Sequence, residues 1–185
     1  VARKQNGQKY IHEIDLGNLS GLKIKFEEGG SYGDLYAVDF MTDETTGEVV
    51  VDPQTGAPFK LNGQANEYLG NMNAKHTLGW ANTFNYKDFS FYFLIDGKVG
   101  GKVISFTEAY LDYFGTSQRT AEARDYALAN NLYWTSSDGA VTKPGMYIPG
   151  TQQVVPIDQY YQTIGGGSPV GRNYVYDATN FRLRE

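Results

Sequence analysis

From Leu78 to Tyr86, large and mostly apolar side chains occupy alternate positions: Leu78, Trp80, Phe84 and Tyr86, with Asn82 the one polar interruption. Between them stand Gly79, Ala81, Thr83 and Asn85, which are small or polar. Lys87-Asp88 breaks the run, and alternation resumes with Phe89, Phe91, Phe93 and Ile95 against Ser90, Tyr92, Leu94 and Asp96. Successive side chains of a strand point to opposite faces, so a period of two over this length predicts two β-strands joined by a very tight turn. One face of that hairpin is a wall of aromatics. A soluble sandwich packs such a wall against a second sheet, whereas a transmembrane barrel turns it to lipid. Taken alone the hairpin favours the soluble sheet, and the rest of the chain decides.

Elsewhere the period changes several times. Residues 10–16 alternate loosely, and Leu22, Ile24 and Phe26 alternate cleanly with Lys23 and Lys25 before Gly29-Gly30 ends the strand. Residues 33–40 predict another short strand. Residues 48–52 and 57–61 predict a small solvated hairpin, flanked by Asp43-Glu44-Thr45-Thr46-Gly47 and turned at Pro53-Gln54-Thr55-Gly56 with the residues that turn geometry demands. Residues 63–75 are predicted as loop. From Phe106 the spacing becomes three to four, through Ala109, Tyr110 and Tyr113, which predicts a helix stopped by Gly115. Thr116 or Ser117 then caps a second helix over 118–130. Residues 133–172 are predicted irregular, with one short helix within 156–164, and residues 180–185 alternate apolar and charged side chains.

These elements are unevenly joined. The Lys87-Asp88 turn is minimal, yet the connections at the other end of the same strands run for tens of residues and hold their own helices and hairpin. Loops of that length are uncommon in compact domains and usually functional. Short turns at one end and long loops at the other is the layout of an outer-membrane barrel, which moves the reading from sandwich to barrel.

Composition sharpens this picture. The 185 residues carry no cysteine, which excludes a disulfide framework or thiolate metal site. The net charge is −5 with scattered basic residues, which argues against a nucleic-acid surface. Tyr 15, Phe 10 and Trp 2 beside Gly 22 suggest a turn-rich β-protein with exposed aromatic surfaces. The first fifteen residues lack the apolar core of a signal peptide, and no apolar run is long enough for a transmembrane helix, which does not bear on barrel strands.

Candidate chemistry is thin. His12-Glu13 begins a zinc-protease helix motif, but Leu16 stands where the second histidine belongs and the context is a strand. His76, at a strand start, reads as an interface or surface residue. Gly100-Gly101-Lys102 lacks the following Ser or Thr of a phosphate loop, and Gly165-Gly166-Gly167 lacks the spacing of a dinucleotide site. No serine lies in a nucleophile elbow. Among 21 acidic residues some pair always lies close, so glycoside hydrolysis ranks last. Asp43 and Asp52 fit either a calcium site or ordinary turn chemistry. No catalytic residue, metal or cofactor is expected. The aromatics Tyr133, Trp134, Tyr147, Tyr160, Tyr161 and Tyr174 carry more weight, because such rings in glycine-rich loops anchor partners or sugars, or pin the loop to itself.

Several stretches resemble the SusC/RagA family of TonB-dependent outer-membrane transporters of Bacteroidetes. They are Glu28-Gly29-Gly30-Ser31-Tyr32-Gly33-Asp34-Leu35-Tyr36, Tyr68-Leu69-Gly70-Asn71, Thr77-Leu78-Gly79-Trp80, Asn82-Thr83-Phe84 and Phe93-Leu94-Ile95-Asp96-Gly97-Lys98. Gly100-Gly101-Lys102-Val103, Tyr110-Leu111-Asp112, Tyr174-Val175-Tyr176-Asp177-Ala178-Thr179-Asn180 and Phe181-Arg182-Leu183-Arg184-Glu185 follow in order. No single motif is diagnostic; their succession over nearly the whole chain is specific.

The resemblance implies a mainly β piece of the C-terminal half of such a barrel, located in the outer membrane. Antiparallel barrel strands would carry a long extracellular loop with short helices. Residues 1–75 would supply strands and an extracellular hairpin loop, 76–104 the barrel hairpin, 105–173 the helical loop and 174–185 the next strand. Leu78, Trp80, Phe84, Tyr86, Phe89, Phe91, Phe93 and Ile95 would face lipid. The loop aromatics would dock a SusD-like lipoprotein, the imported substrate would be a glycan or peptide, and TonB would act through a plug domain that this stretch does not contain. Alone, such a piece would self-associate or cover its aromatic face with its own helices. The alternative is a soluble β-rich carbohydrate-binding surface module.

Overall fold

The computed structural model describes residues 12–15, 21–26, 30–61, 67–167 and 169–184. The expectations for residues 1–11 and 16–18, for Glu28-Gly29, for residues 63–66 and for Glu185 lie outside these. The fold is mainly β, and every strand pairing within its sheets is antiparallel.

β1 (His12–Asp15), β2 (Leu22–Phe26), β3 (Asp34–Ala37) and β4 (Glu67–Asn71) form one sheet in that order. β4 corrects the expectation of loop over 63–75: Tyr68 and Leu69 offer β-favouring side chains, and β3 supplies the ladder that a lone apolar pair cannot announce. Between β3 and β4 an arm of isolated bridges replaces the expected strands of 48–52 and 57–61. Phe40 bridges Lys60, Thr42 bridges Val49 and Val51 bridges Pro58. A ladder cannot extend there because Pro58 lacks a donor and tight turns interrupt it on both sides. Those turns are closed by carboxylates: Asp43 Oδ1 accepts the Thr45 and Thr46 N–H groups at 2.8 and 2.9 Å, and Asp52 Oδ1 accepts Gln54 N–H at 2.9 Å.

β5 (His76–Tyr86) and β6 (Phe89–Val99) then run eleven residues each, turned by Lys87 at φ 52°. β7 (Lys102–Ile104) follows after Gly100 and Gly101, whose φ values of 80° and 89° are the left-handed region that favours glycine. Helix α1 (Phe106–Tyr113) is capped by Ser105, and α2 (Gln118–Ala129) by Ser117, whose hydroxyl accepts the Thr120 N–H at 3.2 Å. Both helices lie where the spacing predicts them. The stretch predicted irregular instead holds a three-stranded sheet of β8 (Tyr133–Thr135), β9 (Thr142–Tyr147) and β10 (Val154–Pro156). Its strands are short and carry Pro144, Gly145 and Pro156, so no local pattern marks them and pairing alone makes them strands. Helix α3 (Ile157–Gly165) and a single 3-10 turn, Gly171–Asn173, lead to β11 (Val175–Asp177) and β12 (Asn180–Leu183).

The last two strands explain the layout. β12 pairs with β6 and β11 with β7, and both ladders break at one level, where Ala178 N–H donates to the Gly101 carbonyl at 3.0 Å. Residues 105–174 are therefore an excursion inserted between two neighbouring strands. Ser105 N–H donates to the Tyr174 carbonyl at 2.9 Å and closes its neck.

The excursion packs on the arm to make the main core, from Phe40 and Val49 through Ile148, Val155 and Tyr160 to Ile164 and Val170. Each such side chain, fully buried, contributes roughly 1.5–3 kcal/mol. A parallel bridge joins Val38 to Val170, and Arg172 ion-pairs with Asp39 while its guanidinium lies 5.8 Å from the Phe40 ring centre. α1 and α3 touch at Gly165, where a Cβ would stand 2.3 Å from the Ala109 carbonyl oxygen and 2.9 Å from the Tyr113 nitrogen. Gly165→Ala must push the helices apart and should cost about 1–3 kcal/mol of stability in urea unfolding.

Lys60 ties the arm to α3 from below. Its Nζ donates to the carbonyls of Thr163 and Gly166 at 2.9 and 3.0 Å, at the negative end of the helix. Burial pushes this amine down to about 8 from its ordinary 10.5. Between those values the unfolded chain still binds a proton that the folded one has shed, so stability rises with pH across that window. The gain should be on the order of 1–2 kcal/mol once screening of a partly exposed amine is allowed for. Urea melts of the wild type and of Lys60→Met at several pH values across that window should show the slope in the first and its flattening in the second.

Candidate functional site

The β5–β6 register places Leu78, Trp80, Phe84 and Tyr86 opposite Gly97, Ile95, Phe91 and Phe89, with Asn82 opposite Phe93. Residues directly opposite share a face, so all eight large side chains of the expected lipid-facing set stand on one side. They pack on each other: Trp80 meets Phe93 edge-on at 5.1 Å, and Phe84 stacks on Phe93 at 6.1 Å. β12 widens the wall, because Phe181 stands beside Gly97 and Leu183 beside Ile95. The Phe181 ring lies across Gly97, where a Cβ would approach it to 2.6 Å. Phe181 and Leu183 escape a reading of the hairpin alone; their signal is the alternation of residues 180–184.

Nothing among the described residues covers this face. Leu78, Trp80, Phe84, Tyr86, Phe89 and Phe91 are 56 to 79 % exposed. The helices pack on the arm instead, so of the two expected ways to cover the wall, shielding by the chain's own helices is not the one seen. The opposite face is mixed: Thr77, Gly79, Ala81, Thr83 and Asn85 are small or polar, and beside them stand Lys98, Asp96, Leu94, Tyr92 and Ser90. Asp96 holds Arg184 there at 2.9 Å, and Ser90 donates to Asn85 at 2.6 Å. β5 forms one edge of the β12–β6–β5 sheet and β12 the other, so an eleven-residue edge is left unpaired among the described residues.

The six loop aromatics separate into two groups. Tyr160, Tyr161 and Tyr174 are buried, whereas Tyr133 and Tyr147 are exposed on β8 and β9 and Trp134 is half-buried. Tyr160 and Tyr174 are sealed inside and Tyr161 shows only an edge to a groove between the helices, so these three pin the loop to itself and offer no outward docking surface. Trp134 does the same in part, because its ring closes against Gly56 of the arm.

Around those tyrosines lies a polar cluster that the sequence does not announce. Asp112 on α1 is fully buried. Arg119 of α2 donates from Nε to Asp112 Oδ1 at 2.9 Å and from its other arm to Oδ2, which also accepts the Tyr174 hydroxyl at 2.8 Å. The guanidinium stands 5.0 Å from the Tyr174 ring centre and 3.4 Å from Glu108, which accepts the Tyr176 hydroxyl at 2.5 Å. Burial first, and then the bond to Asp112, push the Tyr174 phenol well above its usual range, so it remains a donor. Every member has a partner, and the cluster joins the start of the excursion to its end. It is a clamp, with no free nucleophile or base.

Among the described residues no three potential ligands gather as a metal site, and no helix is long and apolar enough to cross a membrane, which says nothing of strands. The fold and surface thus define a mainly β chain with antiparallel sheets and one exposed aromatic wall. No protein-family model matches the chain, and no curated protein matches it significantly.

Proposed function

We propose that this chain forms wall and outer rim of a TonB-dependent outer-membrane importer of the SusC/RagA type. The observation that carries the reading is the β5–β6–β12 sheet, continuously apolar on one face, more polar on the other and, among the described residues, open at both edges. Soluble monomers seldom expose so continuous an apolar face, and a long unpaired apolar edge invites aggregation. In a barrel both features are resolved: lipid takes the aromatic face, water in the lumen takes the polar one and neighbouring strands take the edges. An eleven-residue strand also matches the 9–11 residues or so that a tilted barrel strand needs to cross a bilayer.

In this reading the tight turn at Lys87-Asp88 points to the periplasm, and the arm and excursion gather outside the cell. Their surface, with Tyr133 and Tyr147, would receive a SusD-like lipoprotein above a pore for glycan or peptide. Trp80 offers the test. In a Trp134→Phe variant it is the sole tryptophan, so its fluorescence reports the wall alone. With lipid vesicles, brominated acyl chains should quench it strongly and acrylamide weakly. Quenching by acrylamide only, with brominated lipid inert, would sink the proposal.

A further inference from the structure

A groove of about 500 Å³ opens where α1, α2, β9 and α3 meet. Its walls are chiefly apolar, from Tyr113, Phe114, Pro144, Ile157 and Tyr161. Phe114 is 70 % exposed and held edge-on to Tyr113, ring centres 5.0 Å apart, so a flat apolar surface lies ready at the mouth.

Four charged side chains also line it: Asp112, Arg124, Lys143 and Asp158. Asp112 is held by Arg119, which also faces Glu108, and Lys143 pairs with Asp158 at 2.7 Å. Arg124 has no carboxylate partner among the described residues. Its guanidinium donates to the Gly115 carbonyl at 3.2 Å, itself part of the groove lining, and keeps further donors in hand. The groove is thus an apolar cleft with one guanidinium that no carboxylate holds among the described residues.

We propose that this groove binds the C-terminal end of a peptide, its free carboxylate on Arg124 and an apolar terminal side chain against Tyr113 and Phe114. A guanidinium offers a carboxylate two parallel hydrogen bonds, and the apolar walls take the side chain. A sugar fits less well, because its ring would bring several hydroxyls against walls with few free partners, each costing about 1–3 kcal/mol if left unpaired. Thr120 is unavailable to it: it is fully buried, and its hydroxyl proton is given to the Ser117 carbonyl at 2.8 Å. No groove residue belongs to β5, β6 or β12, so the inference stands or falls apart from the membrane reading.

Calorimetry on the chain in detergent tests this with three probes: a short peptide ending in phenylalanine, the same peptide as its C-terminal amide, and a uronic-acid disaccharide. The free acid should bind, and amidation should weaken it about tenfold or more, the scale of a lost charge-assisted pair. Arg124→Gln should weaken the acid by a similar factor yet leave the amide unchanged, with Arg124→Lys intermediate. The acid–amide comparison needs no variant, so it holds even if a substitution perturbs folding. Equal binding of acid and amide, tighter binding of the uronide, or no binding of the peptide would each overturn the proposal.

Discussion

Phe84→Arg combined with Phe91→Arg is expected to abolish association of the chain with lipid vesicles while leaving its helical body folded. The two rings stand directly opposite each other in the half of the wall nearer the Lys87-Asp88 turn, so the variant plants two guanidinium groups where hydrocarbon should lie. An arginine on the lipid face of a barrel costs about 2–4 kcal/mol at the bilayer midplane and less toward the interface, so this pair, set between the two, should cost a few kcal/mol together if the sites act independently. Neither ring contributes to the buried clusters of the body. Flotation with vesicles should therefore lose the variant almost completely, while its circular dichroism and urea midpoint stay near the wild type. A control pair on the polar face, Thr83→Arg with Tyr92→Arg, should float far better. Equal flotation of wild type and both variants would show that the aromatic face does not meet lipid.

Asp112→Ala should destabilise the body by about 3 kcal/mol, a large share of what holds a domain of this size together. The substitution strands the Arg119 guanidinium and the Tyr174 hydroxyl, both turned toward a carboxylate with no solvent contact. Arg119 is itself about one-third exposed, at 33 %, so part of its charge can be solvated and the loss falls at the lower end for a broken buried pair. Asp112→Asn keeps an acceptor and should cost less, about 2 kcal/mol. Hydrogen exchange gives the discriminating readout. Amides of α1, α2 and β11 should lose protection together, because the clamp joins both ends of the excursion, whereas those of β5 and β6 should not change. If protection falls uniformly, or only in α1, the clamp is not the unit described here.

The hairpin was legible because its information is local. Strict alternation about Lys87-Asp88 gave both strands, their turn and the composition of each face, and the helix spacings with Ser117 gave α1 and α2. The sheet of β8, β9 and β10 was not legible: its strands are short, two carry proline, and their pairing joins residues with no shared pattern. The same limit hid half of the site. Tyr133 and Tyr174 look alike in sequence, each a tyrosine in a glycine-rich stretch, yet one ends exposed on a strand and the other buried above Arg119.

By itself, then, the order of residues determined which side chains share the wall, because strand periodicity assigns a face to each from its immediate neighbours. Only the tertiary structure decided that the helices turn away from that wall to cover the arm, that Phe181 and Leu183 extend it, and that Asp112, Arg119 and Tyr174 converge. Those outcomes depend on which distant segments bury one another's apolar surface and satisfy one another's charges. Such a choice is settled by the summed free energy of the folded chain, and no window of sequence contains it.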